Sequence, residues 1–197
     1  VVGPNANSVA PLYANYHGTA TNPVTVFEGI KAELGEEVEV SYIKGCPLVI
    51  NEITDADYSI IDAEYLFHID ENGSKTDGLI GEYFKGIELA GEPVYTRIDK
   101  DVNLLFESGS PTDTELSQGI ITPDQALEAD YFSIRWTGKV ISPVTGNCKI
   151  GVTSDDGFRL WINDELVAED WAHHGMQATL ADIDLEKDQA YDIKIEY

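Results

Sequence analysis

From Leu79 onward the chain alternates in polarity with a period of two. Phe158, Leu160 and Ile162 alternate with Arg159, Trp161 and Asn163, and Tyr191, Ile193, Ile195 and Tyr197 alternate with Asp192, Lys194 and Glu196. That period sends successive side chains to opposite faces of an extended strand, so each segment buries one face only. Tyr131-Phe132-Ser133-Ile134-Arg135-Trp136-Thr137 is aromatic and β-branched, and Cys148-Lys149-Ile150-Gly151-Val152-Thr153 alternates again. Gly86, Gly91, Pro93, Pro143, Gly146, Gly157 and the pair Asn163-Asp164 punctuate these runs. Short alternating strands between regular turn signals predict an antiparallel sandwich or barrel. Leu104–Asp130 departs from the pattern, being polar and rich in Ser, Thr, Gly and Pro. A connection of that length inside a domain is a functional or mobile element.

The first part of the chain has a different texture. Thr25-Val26-Phe27-Glu28 has the form of a helix capping box, and Phe27, Ile30 and Leu34 follow on one helical face. Gly35 stands where a helix end favours positive φ. Glu37–Ile43 then alternates as a strand, and Val1-Val2 before Gly3-Pro4 reads as the end of an earlier one. Strand, helix and strand make a βαβ unit with parallel strands. Two strands do not make a stable sheet. Residues 1–50 are therefore expected to be an incomplete α/β segment of a longer protein, from which this chain is a piece. Residues 51–77, broken by acidic residues and ending in the turn-rich Glu71–Gly78, read as a connector. Residues 78–197 form the β domain, its C-terminal end expected to be truncated at Tyr197.

Composition narrows the function classes. Twelve Lys and Arg stand against 36 Asp and Glu, a net charge of −24. Such a chain lacks the basic face that binds nucleic-acid phosphates or anionic membranes. Ten tyrosines and 43 % hydrophobic residues mark a globular fold rather than an acidic tail. No apolar run is long enough to span a membrane. An acidic surface suits an extracellular or periplasmic protein that handles neutral substrates. Cys46 and Cys148 are too few for a disulfide framework and read as free, buried thiols, neither flanked by a nucleophile motif.

Specific motifs carry a resemblance. Gly78-Leu79-Ile80-Gly81-Glu82-Tyr83-Phe84, Phe132–Gly138, Gly151-Val152-Thr153-Ser154-Asp155-Asp156-Gly157 with the strand Phe158–Asn163, Asp170-Trp171 and Tyr191–Tyr197 come in the order of a protective-antigen (PA-14) domain. Gly3-Pro4-Asn5-Ala6, Asn15-Tyr16-His17-Gly18, Pro23–Ile30 and Lys44-Gly45-Cys46 resemble the second domain of glycoside hydrolase family 3. In that family a PA-14 domain is known as an insert within this same α/β domain. The resemblance implies a mainly β fold: a PA-14-type antiparallel β-sandwich with an incomplete N-terminal α/β segment. It also implies a parent that hydrolyses β-glycosides with retention through two carboxylates. The nucleophilic Asp and the acid/base Glu of such enzymes fall outside this chain, so no residue here is expected to be catalytic.

Five residues stand out as binding candidates. Asp155 and Asp156 precede a Gly turn, where carboxylates accept backbone N–H bonds and fix the turn. In adhesins of the PA-14 family the matching pair is joined by a cis peptide and holds a calcium that contacts sugar. The turn reading is the simpler, because a calcium site needs several further oxygen ligands. Asn163 and Asp164 read as a hairpin turn before helpers to such a site. Trp171 offers an indole face for a sugar ring, although its family position favours core packing. His173 and His174 offer hydrogen bonds to hydroxyls, or are solvated loop residues. Arg135 and Arg159 are expected to pair with carboxylates, and Tyr83 and Trp136 to lie in the core.

The function expected is that of an accessory domain that recognises carbohydrate and caps the substrate pocket of a β-glucosidase- or β-xylosidase-type enzyme. Its partners would be an oligosaccharide or β-glucoside and the rest of the parent hydrolase. The loop Leu104–Asp130 is the best placed to reach substrate. No cofactor is required, with calcium the one alternative. A calcium-dependent lectin or adhesin module and a structural or oligomerisation insert are the competing classes. The hydrolase-like Gly3-Pro4-Asn5-Ala6 segment argues against the free-standing adhesin.

Overall fold

The computed structural model describes residues 1–3, 5–9, 22–35, 38–43, 58–106 and 108–197. Contacts divide the chain into two units, Val1–Tyr58 and Ser59–Tyr197. Of the motif residues, Pro4, Asn15–Gly18 and Lys44–Cys46 lie outside the described residues, as do Asp55 and Asp57 of the connector.

In the first unit, the expected capping box starts helix α1 (Val26–Leu34). The Glu28 amide donates to Thr25 Oγ1 at 3.1 Å and the Thr25 amide donates to Glu28 Oε2 at 2.9 Å. These bonds satisfy two donors that a helix start otherwise leaves unmet. They also hold the Glu28 carboxyl below its usual range, chiefly through the backbone bond. Gly35 ends the helix at φ 68°. Val2 and Ile43 form a parallel bridge on either side of α1, as a βαβ unit requires. Among described residues 38–43 only Ile43 pairs, a shorter strand than the alternation predicts. Ile30 and Leu34 of the apolar helical face are 38 % and 46 % exposed, so α1 owes its place to its caps more than to burial.

The second unit is the β-sandwich. Its strands are β1 (Leu66–Ile69), β2 (Lys75–Asp77), β3 (Leu79–Lys85), β4 (Tyr95–Asp99), β5 (Phe132–Ile141), β6 (Gly146–Ser154), β7 (Phe158–Ile162), β8 (Glu165–Asp170), β9 (Gln177–Leu185) and β10 (Ala190–Glu196). All pairings among them are antiparallel. One eight-stranded sheet runs β2-β1-β5-β10-β7-β8, with β3 joining β4 to β5, and β6 and β9 form the second layer. β5 pairs with β10 on one edge and with β3 and then β1 on the other. The alternating residues Phe158, Leu160, Ile162, Ile193 and Ile195 are buried as their period predicts, and Ile150, Val152 and Ile183 of the second layer join this core. The Asn163-Asp164 pair turns β7 into β8 with φ of 49° and 65°, the two positive values a type I′ hairpin needs.

Part of the stretch that reads as a connector is built into the sheet as β1 and β2. Leu66, Phe67 and His68 are all buried there, which masks a period of two, and the His68 ring nitrogen Nδ1 lies 2.9 Å from the Gly78 carbonyl oxygen. Tyr83 and Trp136 are in the core at 0 % and 3 % exposure, as expected. Cys148 is a free thiol but only half-buried.

A buried carboxylate organises one side of this core. Asp99, 6 % exposed, accepts from Tyr83 Oη at 2.6 Å, Trp136 Nε1 at 2.7 Å and Arg97 Nε at 2.7 Å. Arg97 stacks its guanidinium 4.6 Å from the Tyr83 ring centre and donates on to Glu115 Oε1 at 2.5 Å and to the Pro111 carbonyl at 3.1 Å. The long loop is thus docked rather than free. It carries a short helix, α2 (Asp113–Ser117), and buries Thr112, Ile121 and Leu127. Only Gly fits at position 81, because a Cβ there would collide with Asp99 Oδ2.

Two outcomes follow. Asp99→Ala leaves two buried donors, Tyr83 Oη and Trp136 Nε1, unmet and takes one of its two carboxylates from Arg97, which keeps Glu115, so it is expected to cost about 2–4 kcal/mol in urea unfolding followed by tryptophan fluorescence. Burial, then the Asp99 hydrogen bond and charge, push the Tyr83 phenol far above its ordinary value of 10.0. A raised pKa gives stability that is complete below the unfolded value and lost as pH rises toward the folded one. Stability should fall above pH 10, by about 1.4 kcal/mol per pH unit for a tyrosine that stays neutral, and Tyr83→Phe should flatten that slope in an alkaline melting series.

Candidate functional site

Strand polarity gathers several loops at one end of the sandwich. The C-terminal ends of β3, β6, β8 and β10 and the starts of β5, β7 and β9 meet there, as the registers Lys85↔Phe132, Glu196↔Arg159, Phe158↔Asp170 and Ser154↔Gln177 require. Asp155 and Asp156 occupy the β6–β7 loop, and Trp171, His173 and His174 occupy the β8–β9 loop. The structure therefore brings together all five residues singled out from the sequence.

The two loops touch closely. A Cβ at position 157 would lie 2.6 Å from both the Ala172 nitrogen and the Asp170 carbonyl oxygen, so Gly157 is what lets them meet. Asp156 Oδ1 accepts the His174 amide at 3.0 Å and lies 3.7 Å from His173 Nδ1. The Asp155–Asp156 peptide is cis, and the Asp155 carbonyl accepts from Tyr197 Oη at 2.5 Å. Burial first, and then the Asp156 charge, raise the Tyr197 phenol, so it remains a donor. Asp156 thus fixes one loop to the other, by a longer-range bond than the local turn the sequence implies.

His173 is open to solvent, its side chain 82 % exposed. His174 is not the solvated loop residue its sequence context implies, since its side chain is only 13 % exposed. Its Nδ1 lies 2.9 Å from the Gly175 carbonyl oxygen, which makes Nδ1 the donor. Its Nε2 faces Asp170 Oδ2 at 3.6 Å, while that oxygen accepts from Gln177 Nε2 at 2.6 Å.

Trp171 corrects the expectation of core packing. It is 37 % exposed, and it follows β8 directly, where the strand's in–out alternation no longer governs direction. Its ring lies under the Arg159 guanidinium, 4.0 Å from the ring centre. Arg159 is held in turn by Glu196 Oε2 at 2.6 Å, Glu196 by Arg135 Nε at 3.0 Å, and Arg135 faces Glu82 at 3.7 Å. The two arginines pair with carboxylates as expected. They form a row across β3, β5, β10 and β7 that ends on the indole. The Lys194 ammonium lies 3.9 Å from the Trp161 ring centre on the same outer face.

Calcium is the one ion the sequence raises here. Among the described residues no three or more His, Cys, Asp or Glu side chains are grouped to hold a metal. Asp156 already serves as an acceptor for the protein, so Asp155 and Asp156 by themselves do not form a calcium cage. Tyr197, Asp170 and Gln177 belong to the site without having been singled out. Asp170 and Tyr197 fall within motifs of the resemblance, Gln177 in none, and which loops their strand ends join depends on pairing.

Comparisons with known proteins add four findings. Residues 75–197 match the PA14 domain family. The anti-sigma-I factor RsgI3 of Acetivibrio thermocellus is 32 % identical over 120 residues, 61 % of this chain and 17 % of its own length. A xylan 1,4-beta-xylosidase of Xylanibacter ruminicola is 26 % identical over 200 residues, 100 % of this chain and 20 % of its own. Among solved structures, an anti-sigma factor domain-containing protein from Clostridium clariflavum superimposes with a TM-score of 0.51 at 30 % identity, covering 61 % of this chain and 36 % of that one. The chain thus spans about a fifth of the length of the two relatives.

The Asp156 tie has a measurable consequence. Asp156 is half-exposed, so water replaces part of what Asp156→Ala removes, and the loss should be about 1 kcal/mol. Calorimetric melting in chelator should show it as a drop of a few degrees, roughly 2–4 °C for a domain of this size. A site that held calcium would behave otherwise: chelator alone would lower the melting point of the unchanged protein, and calcium would restore it.

Proposed function

The chain belongs to the PA14 domain family through residues 75–197, and on that premise we propose that it is an accessory carbohydrate-recognition domain of a retaining β-glycosidase. The observation that carries the parent assignment is coverage. The xylosidase match runs through the whole chain, the α/β unit included, whereas the anti-sigma-factor matches cover 61 % of it. The parallel bridge Val2↔Ile43 around a capped helix supports this reading, because a parent of the family 3 type, in which such an insert interrupts an α/β domain, requires a strand–helix–strand start of this kind. The parent's barrel and the rest of its α/β domain are then the protein partners, and a β-gluco- or β-xylo-oligosaccharide is the ligand.

The end of the sandwich that joins the two loops suits that role. Trp171 presents an apolar ring whose one side is fixed by Arg159, and pyranose rings have apolar faces that pack on such surfaces. Asp155 and His173 lie in the two loops that meet at this end and Gln177 begins β9, each with groups that hydrogen-bond hydroxyls. The chain's strong negative charge repels acidic ligands and leaves neutral sugars unaffected. Catalysis is assigned to no residue of this chain, because the two carboxylates of the reaction belong elsewhere in the parent. The reading requires no cofactor, and it places the parent outside the cytoplasm. No helix among the described residues is long and apolar enough to cross a membrane.

Titration calorimetry with xylo- and cello-oligosaccharides tests the assignment. Trp171→Ala is expected to weaken binding by roughly tenfold or more, as truncation of an aromatic anchor does. Its melting temperature should change little, since the ring is on the surface. Binding that appears only with added calcium would favour the lectin class. No binding to any of these sugars would favour a structural insert.

A further inference from the structure

A second aromatic residue at the same end of the sandwich has an exposed side chain that packs into no core. Tyr131 adopts φ 58°, a left-handed conformation that is costly for a bulky residue. Other non-Gly residues with positive φ have a local reason. Asn163, Asp164 and Asp188 are residue types that tolerate this region at turns, and Leu89 is buried at 9 % exposure with its amide donating to Ser133 Oγ. Tyr131 is 76 % exposed. Among the described residues no hydrogen bond or ring contact holds its side chain. Only its backbone is engaged, the Tyr131 carbonyl accepting the Gly86 amide at 2.7 Å. For the fold alone a glycine would serve better at this position.

The ring stands at the edge of an open cleft of about 430 Å³, lined by Lys85, Pro123, Ala126, Leu127, Glu128 and Tyr131 with the Gly86 backbone. That volume falls in the size class of small-molecule sites, roughly 300–1,000 Å³. Pro123, Ala126 and Leu127 give the lining an apolar part, and the exposed Lys85 and Glu128 add one ammonium and one carboxylate at its rim. Lys85 is positioned by donating to the Asp124 carbonyl at 2.9 Å. A rim of opposite charges favours neither an anion nor a cation. It suits a neutral molecule that offers many hydroxyls and one apolar face.

The cleft is also tied to the Asp155 loop. Phe132, next to Tyr131, meets Phe106 edge-on at 5.7 Å and the Tyr197 ring at 5.9 Å, and Tyr197 donates to the Asp155 carbonyl. We infer that the Tyr131 cleft is a second carbohydrate subsite, which takes a neutral pyranose unit of an oligosaccharide whose other end lies on the Trp171–Asp155 surface. This rests on the carbohydrate reading above and adds to it a requirement for chain length. Tyr131 supplies the stacking face, while Lys85 and Glu128 hydrogen-bond hydroxyls.

The full chain, titrated with xylo- and cello-oligosaccharides from monosaccharide to pentasaccharide, tests the subsite. Wild-type affinity should rise with length. Tyr131→Gly should abolish that rise, weakening the longest sugar by about tenfold, while monosaccharide affinity stays unchanged and the melting temperature does not fall. Tyr131→Phe, which keeps the ring, should retain the length dependence. If Tyr131→Gly binds every length as the wild type does while Trp171→Ala is impaired, the subsite is overturned and the recognition role stands. If the wild type binds none of these sugars, both are overturned.

Discussion

Asp99 places a carboxylate where the core would otherwise be apolar, and much of the β unit depends on how that charge is satisfied. Taking it out of water costs several kcal/mol unless strong hydrogen bonds replace the lost hydration. Here donors from three neighbouring strands do so: Tyr83 on β3, Arg97 on β4 and Trp136 on β5. The arrangement fixes the register of those strands, since a slip by one residue would turn each donor to the other face. Arg97 extends the network outward to Pro111 and Glu115, so the long loop between β4 and β5 is docked on the sheet. Because that loop is docked, Pro123–Leu127 can wall a cleft, and the chain re-enters β5 through Tyr131.

The outer face follows a different principle. Glu82, Arg135, Glu196 and Arg159 alternate in sign across four neighbouring strands, each pair set by cross-strand register. Exposed pairs of this kind contribute little one by one. Glu196 is nearly buried, however, and both of its oxygens are engaged by arginines. Their value lies in orientation: Arg159 is held, so the Trp171 ring beneath it is held. A surface aromatic that is already ordered loses less entropy when a ligand stacks on it. The proposed recognition surface is thus held on one side by a row of ion pairs rather than by core packing.

The α/β unit shows local and tertiary control acting separately. Its helix forms where Thr25 and Glu28 cap it, and the parallel bridge Val2↔Ile43 closes around it. Yet Ile30 and Leu34 are exposed. In the proposed parent they would lie against the rest of the α/β domain, which makes this unit the natural point of attachment.

What the sequence by itself determined is what local rules govern. The period of two in β7 and β10, the Asn163-Asp164 hairpin and the Thr25–Glu28 capping box were legible because each depends on residues a few positions apart. Asp155 and Asp156 read as one cluster and Trp171, His173 and His174 as another, and it is strand pairing that brings the two loops into contact. Tertiary structure alone decided the rest. β1 escaped notice because burial of Leu66, Phe67 and His68 together erases the alternation. Asp99 and Glu115 look like any surface acids in a chain with 36 of them, and only the fold brings their donors from distant strands. Trp171 left the core because it lies one residue past the end of β8. Tyr131 reads as a strand residue, and its left-handed backbone and open cleft arise from the docking of a loop whose anchor, Arg97, is far away in sequence. Periodicity records which face of a strand is buried, but not which polar partners or which loops the pairing of strands will bring to it.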